Sequence, residues 1–140
     1  MPHIARLQSS RQRDLAQRFL ARHEPDEPGL QHPLKDHHPA WGAYDADGHL
    51  VAVAACTVYD GNVHLTTCVV APAARGHNLQ RRLIRVRVAY ARRITPKRPN
   101  AQVITYTHRN NRPSQINLLK EGFVPFSVTG LVYVSYAKWL

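Results

Sequence analysis

The stretch Cys68–Ile84, C-V-V-A-P-A-A-R-G-H-N-L-Q-R-R-L-I, constrains the fold of this chain more than any other. It runs from a β-branched apolar segment through a Pro-containing turn to a Gly and basic residues, then into an amphipathic helical pattern. Strand, tight turn and helix N-terminus in that order make an anion cradle. The first turn of a helix carries unpaired N–H groups and about half a positive charge. Arg75, Arg81 and Arg82 add mobile cations around the cradle, which suits a diphosphate. The same residues also read as an ordinary strand-to-helix connection with a solvated basic face, and the stretch alone leaves both readings open.

A length of 140 residues fits one domain that buries roughly two-thirds of its unfolded surface. Hydrophobic content of 44% excludes a globally disordered chain. No apolar run approaches the roughly 18 residues of a membrane helix. The opening M-P-H-I-A-R-L-Q-S-S lacks the apolar core of a secretory signal. A cytoplasmic protein with no membrane partner is therefore expected. The formal charge of +10 favours polyanionic company: nucleic acid, nucleotide cofactors or acidic protein surfaces. Cys56 and Cys68 are the two cysteines. A two-residue turn at Asp60-Gly61 sets Leu65 opposite Cys56 and Val53 opposite Cys68, so the thiols are expected to be unbridged apolar fillers.

Along the chain, Pro2–Leu7 offers a short first strand with weak alternation. Ser9 or Ser10 caps a helix over 11–23 with Leu15, Ala16, Phe19 and Leu20 on one face. Pro25, Pro28, Pro33 and Pro39 make 24–40 a loop of the kind that walls a substrate pocket. Strands are expected over 41–45, 49–59 and 62–70, the last two joined by the Asp60-Gly61 hairpin. A helix over 79–94 has Leu79, Leu83, Val86, Tyr90 and Ile94 as its apolar stripe and ends at Pro96 and Pro99. A buried strand over 101–107 follows. A short helix is started by Asn111-Arg112-Pro113-Ser114, turns Ile116, Leu118 and Leu119 inward, and closes at Gly122. Strands 123–128 and 131–139 form a last hairpin across Thr129-Gly130. The sum is a single α/β domain around a mixed, mostly antiparallel sheet flanked by helices.

Laid out this way, the chain resembles the GNAT superfamily of acyl-CoA-dependent N-acyltransferases, well from Trp41 onward and only by element order before it. Two motifs carry the resemblance. The family's pyrophosphate motif, Q/R-x-x-G-x-G/A after a strand, is matched by V-A-P-A-A-R-G-H-N-L-Q-R-R-L-I in its strand, Pro, Arg75 and following helix. The second, an Asn, a short helix and Gly-Phe, is matched by Asn111, Ser114 and Gly122-Phe123. Three positions depart. Asn78 and Gln80 replace the motif glycines, Asn being the next most tolerant of positive φ. Leu118 stands where the family often has the Tyr that protonates the departing thiolate.

The resemblance implies direct acetyl transfer from acetyl-CoA, as cosubstrate, to an amine of a protein, peptide or small molecule. It places the thioester oxygen and the pantetheine amides against Cys68, Val69 and Val70. The pyrophosphate falls on the N–H groups of Gly76, His77, Asn78, Leu79, Gln80 and Arg81, beside Arg75, and Asn111 and Ser114 are assigned to the cofactor arm. For proton transfer the sequence offers His64 and His108, since imidazole is the side-chain type suited to that task near neutral pH; both also read as strand histidines making an ordinary hydrogen bond. Tyr106, Tyr133 and Tyr136 are candidate replacements for the missing acid, and spacing selects none. His32, Asp36, His37 and His38 lack the spacing of a closed metal site, so no metal is expected. Two further readings stand beside the enzyme: a catalytically degenerate GNAT-fold interaction protein, and a nucleic-acid-associated one.

Overall fold

The computed structural model describes residues 2–23, 34–35, 37–95, 97, 99–129 and 132–140. In chain order its elements are β1 (His3–Arg6), α1 (Ser10–His23), β2 (Ala40–Tyr44), β3 (Leu50–Tyr59), β4 (Asn62–Val70), α2 (Leu79–Ile94), β5 (Gln102–His108), α3 (Arg112–Lys120), β6 (Val124–Thr129) and β7 (Tyr133–Trp139). The strands form a seven-stranded mixed sheet in the order β1-β2-β3-β4-β5-β7-β6. This is the α/β fold the sequence implies. The loop expected over 24–40 lies mostly outside the described residues, as do Pro96 and Gly130. Residues group into two units, 1–56 with 66–83, and 57–65 with 84–140.

In the first unit, β1 pairs antiparallel with β2, and β2 with β3. Helix α1 opens on a capping box: the Gln12 N–H donates to Ser9 Oγ at 3.1 Å, and the Ser9 N–H donates to Gln12 Oε1 at 3.0 Å. Its inner face buries Ala16, Phe19 and Leu20 in a core with Leu7, Leu34, Ala40, Val53 and Ala55. Leu15, expected on that face, is exposed instead. Polar side chains of α1 also hold the chain that returns to β2. Arg13 Nη2 donates to the carbonyls of Lys35 and His38 at 2.7 and 2.8 Å, and the Gln17 carboxamide pairs with both backbone groups of Leu34.

In the second unit the Asp60-Gly61 turn has φ +51° and +74°, the left-handed pair that a two-residue hairpin needs. β4 and β5 run parallel through only two register pairs, Val63↔Val103 and His64↔Ile104. Beyond them the Thr105 hydroxyl donates to the Leu65 carbonyl at 3.2 Å, a side chain standing where a ladder bond would be. β5 pairs antiparallel with β7 from Gln102↔Trp139 to His108↔Tyr133. After α3, Gly122 takes φ +87° as a helix-closing glycine should. Glu121 before it receives both Nε and Nη2 of Arg85, at 2.6 and 3.0 Å.

Two helix faces differ from expectation. α2 buries Leu79, Leu83, Ile84, Arg87, Val88 and Ala91, while Val86 and Tyr90 are half-buried and Ile94 is exposed. The expected stripe advances by slightly more than one turn per step, so it drifts by about 60° over the helix. Arg87 is 2% exposed. In α3 only Leu118 is buried; Ile116 and Leu119 are 49% and 51% exposed. Nine residues bury one narrow ridge, not three positions at once.

Candidate functional site

The cradle lies in the first unit and is built by backbone. After β4 ends, the Ala71 N–H donates to the Val51 carbonyl at 2.9 Å, which ties the exit of β4 to β3. Pro72–Ala74 then makes one 3-10 turn, and the Arg75 N–H donates back to the Pro72 carbonyl at 3.3 Å. Gly76 follows with φ +89° and Asn78 with φ +54°. The Asn78 carbonyl accepts the Arg82 N–H at 3.0 Å, the first rung of α2. Leu79, Gln80 and Arg81 are therefore the first-turn residues whose N–H groups precede the helical ladder. Alternating extended or right-handed with left-handed residues curls a backbone into a concave array of N–H donors. Asn78 thus holds the conformation for which the family uses glycine.

The side chains around it divide. Leu79 is buried, so only its backbone can meet a ligand. Arg75 and His77 are exposed, and Arg75 Nε reaches the Val70 carbonyl at 3.4 Å. Arg82 is not the mobile cation expected of it: its Nη2 donates to the Pro2 carbonyl at 2.7 Å, and its Nη1 is buried without a partner among the described residues. A Cβ added at Gly76 would meet nothing within 4 Å, so space beside that backbone is open for an approaching group. Cys68, Val69 and Val70 are all half-buried at the end of β4, and neither cysteine is in a disulfide.

The proton-transfer candidates lie in the second unit. His64 faces the Tyr59 ring edge-on, with centroids 5.8 Å apart. Burial pushes its pKa below the ordinary value, partly offset by a hydrogen bond to the Tyr59 backbone and by the Asp60 charge. Donating one ring N–H to that carbonyl leaves the other nitrogen of the neutral ring as an acceptor. His108 is held the opposite way. Its Nδ1 accepts the Asn110 N–H at 3.1 Å, so the neutral ring carries its proton on Nε2. His108 is thus a donor and His64 an acceptor. They are not brought together: His64 is opposite Ile104, four residues from His108 along β5, or about 13 Å.

Register separates the tyrosines. Tyr106 and Tyr133 share the sheet face of His64 and His108, and the Tyr133 ring packs edge-on against His108 at 5.8 Å; Tyr136 is buried on the other face. Asn111 caps α3, its Oδ1 accepting the Ser114 N–H at 3.3 Å, which leaves its amide N–H groups for any ligand. Two residues absent from the sequence expectations hold this turn. The Gln115 carboxamide donates to the carbonyls of His108 and Arg109 at 3.1 and 2.8 Å, and Asn110 sets the His108 tautomer. Only the Asn-rich R-N-N-R string hints at them. His37 and His38 pack edge-on at 4.6 Å, with Asp36 and His32 outside the described residues. A cluster of Asp45, Asp47 and His49 lies on the exposed β2–β3 turn, where Asp45 Oδ1 accepts the N–H groups of Asp47 and His49, both at 2.9 Å. Those bonds close the turn and hold the carboxyl of Asp45 below its usual range. No described helix is long and apolar enough to cross a membrane.

Comparison with known proteins agrees with this architecture. A sequence model of the acetyltransferase (GNAT) family matches residues 5–123. No curated protein matches by sequence. Among solved structures, the ribosomal-protein-S18-alanine N-acetyltransferase of Escherichia coli superposes with a TM-score of 0.74 at 13% identity, covering 98% of this chain and 92% of that one. The IAA acetyltransferase of Bacillus cereus ATCC 14579 gives 0.72 at 16% identity, covering 98% of each. A chain of the NatC complex bound to Gag peptide and CoA gives 0.77 at 12% identity, covering 99% of this chain and 98% of that one. At such identities the likeness is one of fold.

Proposed function

Since the chain belongs to the acetyltransferase (GNAT) family, we propose that it moves an acetyl group from acetyl-CoA to an amine acceptor by direct attack. The observation that carries this reading is the left-handed pair Gly76 and Asn78 at the start of α2, the φ pattern of an anion-binding backbone turn, with open space beside Gly76. That cradle suits the cofactor's diphosphate, with Arg75 as the exposed cation beside it. The NatC complex, which shares the fold, binds coenzyme A together with a peptide.

In the reaction the amine nitrogen bonds to the thioester carbon, the C–S bond breaks, and coenzyme A leaves as a thiolate that takes up a proton. An alkyl amine is mostly protonated at neutral pH, so a base must first accept its proton. His64 is the candidate whose neutral ring keeps a lone pair at neutral pH, since burial lowers its pKa. Negative charge gathering on the thioester oxygen calls for fixed donors, and the backbone of Cys68–Val70 is assigned that role. Leu118 is buried and apolar and supplies no proton to the thiolate. Tyr106 and Tyr133, which share the His64 face, are the candidate donors in its place.

Release of free thiol from acetyl-CoA, measured across a panel of peptide and small-molecule amines, tests the proposal. Turnover that falls with His64→Gln supports it. Cofactor binding with no turnover on any amine favours the second reading, a GNAT-fold interaction protein, which the buried Leu118 motivates.

A further inference from the structure

The chain's positive charge is unevenly shared. Residues 57–65 and 84–140 contain ten Lys and Arg against two acids, Asp60 and Glu121, and Glu121 is engaged by Arg85. The other unit is nearly balanced, with nine against seven. An acetyl-CoA cradle in the first unit gives no account of an excess in the second.

The sheet of this second unit has two unlike faces. Val103, Thr105 and Thr107 of β5 are buried on one, while Ile104, Tyr106 and His108 on the other are half-buried or exposed. Register partners share a face, so Trp139, opposite Gln102, lies with Tyr106. Trp139 is 61% exposed and Tyr106 54%. His108 packed against Tyr133 continues the row, about 7 Å beyond Tyr106 along β5. Beyond that end Arg109 follows His108 in the chain and Arg112 opens α3, and both are exposed. Tyr106 lies about 7 Å from His108 and about 13 Å from Trp139 along the strands, one and two steps of an extended single strand. Exposed rings so spaced on an open sheet, with guanidinium groups beyond one end, suit unpaired bases and their phosphates.

We propose that this face, with Trp139 and Tyr106 as stacking rings and Arg109 and Arg112 as phosphate contacts, binds single-stranded nucleic acid. The face shares Tyr106 with the acyl-transfer reading, where it is a candidate proton donor, but the binding measured below needs neither coenzyme A nor turnover.

The test is fluorescence anisotropy of a labelled oligouridine of about ten nucleotides, a length one such surface covers, with the full chain. Affinity should fall on the order of tenfold between about 50 and 200 mM salt. Trp139→Ala and Tyr106→Ala should each weaken binding about fivefold or more, and Trp139→Phe should retain it. Arg109→Gln with Arg112→Gln should flatten the salt dependence. Circular dichroism of each variant separates loss of contact from loss of fold, and the Phe variant keeps the test sound if Trp139→Ala fails to fold. No binding at low salt overturns the proposal. So does binding that polyglutamate displaces equally well and Trp139→Phe and Tyr106→Ala leave unchanged, since that outcome marks an acidic protein partner.

Discussion

The carbonyl of Asn78 accepts the N–H of Arg82 at 3.0 Å while Asn78 itself holds φ +54°. One residue thus both starts helix α2 and turns the preceding backbone toward the cradle. Asparagine is the side chain that tolerates this conformation best after glycine, because its short polar arm can bond locally. Asn78→Gly should keep the fold and the response to coenzyme A. Asn78→Val should cost on the order of 1–2 kcal/mol and abolish the cofactor-dependent rise in melting temperature. Denaturant unfolding with and without coenzyme A reads both effects.

His64 predicts a pH dependence with a definite sign. Its folded pKa lies below the ordinary histidine value of about 6.5, mainly because burial disfavours the charged ring. As pH falls, the unfolded chain therefore takes up this proton first. The stability concerned is present above about 6.5 and is lost as the pH falls through the lowered folded value. His64→Gln should flatten that part of the stability profile. If His64 is the base, kcat/KM should fall with an apparent pKa under the ordinary value, and the substitution should remove that acidic limb. An unchanged limb in His64→Gln would assign the base elsewhere.

Leu118 is buried where the family often places its acid. Truncation to Ala should cost about 2–5 kcal/mol through the cavity it leaves. Leu118→Tyr should overpack by about 1–3 kcal/mol and should not raise kcat, because a ring at this site is drawn inward. A Tyr variant of wild-type stability with faster turnover would show that the position faces the thioester after all. Equilibrium unfolding and steady-state rates on the same preparations decide this.

Much of the fold is legible in the local chemistry of the residues. Asp60-Gly61 reads as a hairpin because few residue pairs accept two positive φ values in succession, and both adopt them. Asn111 and Gly122 mark the ends of α3 for equally local reasons, and α2 spans Leu79–Ile94 as its pattern requires. Non-local facts are not legible in this way. Nothing in the residues of β6 says that β7 inserts between it and β5, or that the β4–β5 ladder stops after His64↔Ile104. Burial of Arg87 and exposure of Ile116 and Leu119 invert what residue type implies, because neighbours far along the chain decide which ridge is covered. At the site, the positive φ of Asn78 follows from the tolerance of its own side chain. The engagement of Arg82 does not, since its anchor, the Pro2 carbonyl, lies 80 residues away in sequence.

Calorimetric titration of coenzyme A into the wild-type chain and into Gly76→Ala tests the central claim most directly. The added methyl group would meet no protein atom within 4 Å, so it disturbs the backbone conformation and any ligand drawn against it, and little else. The account predicts saturable binding to the wild type, weakened about tenfold or more in Gly76→Ala, a difference of about 1.4 kcal/mol, with the fold retained by circular dichroism. Absence of binding to the wild type at about millimolar coenzyme A, an affinity of only about −4 kcal/mol, would contradict it, as would equal affinity in the two chains.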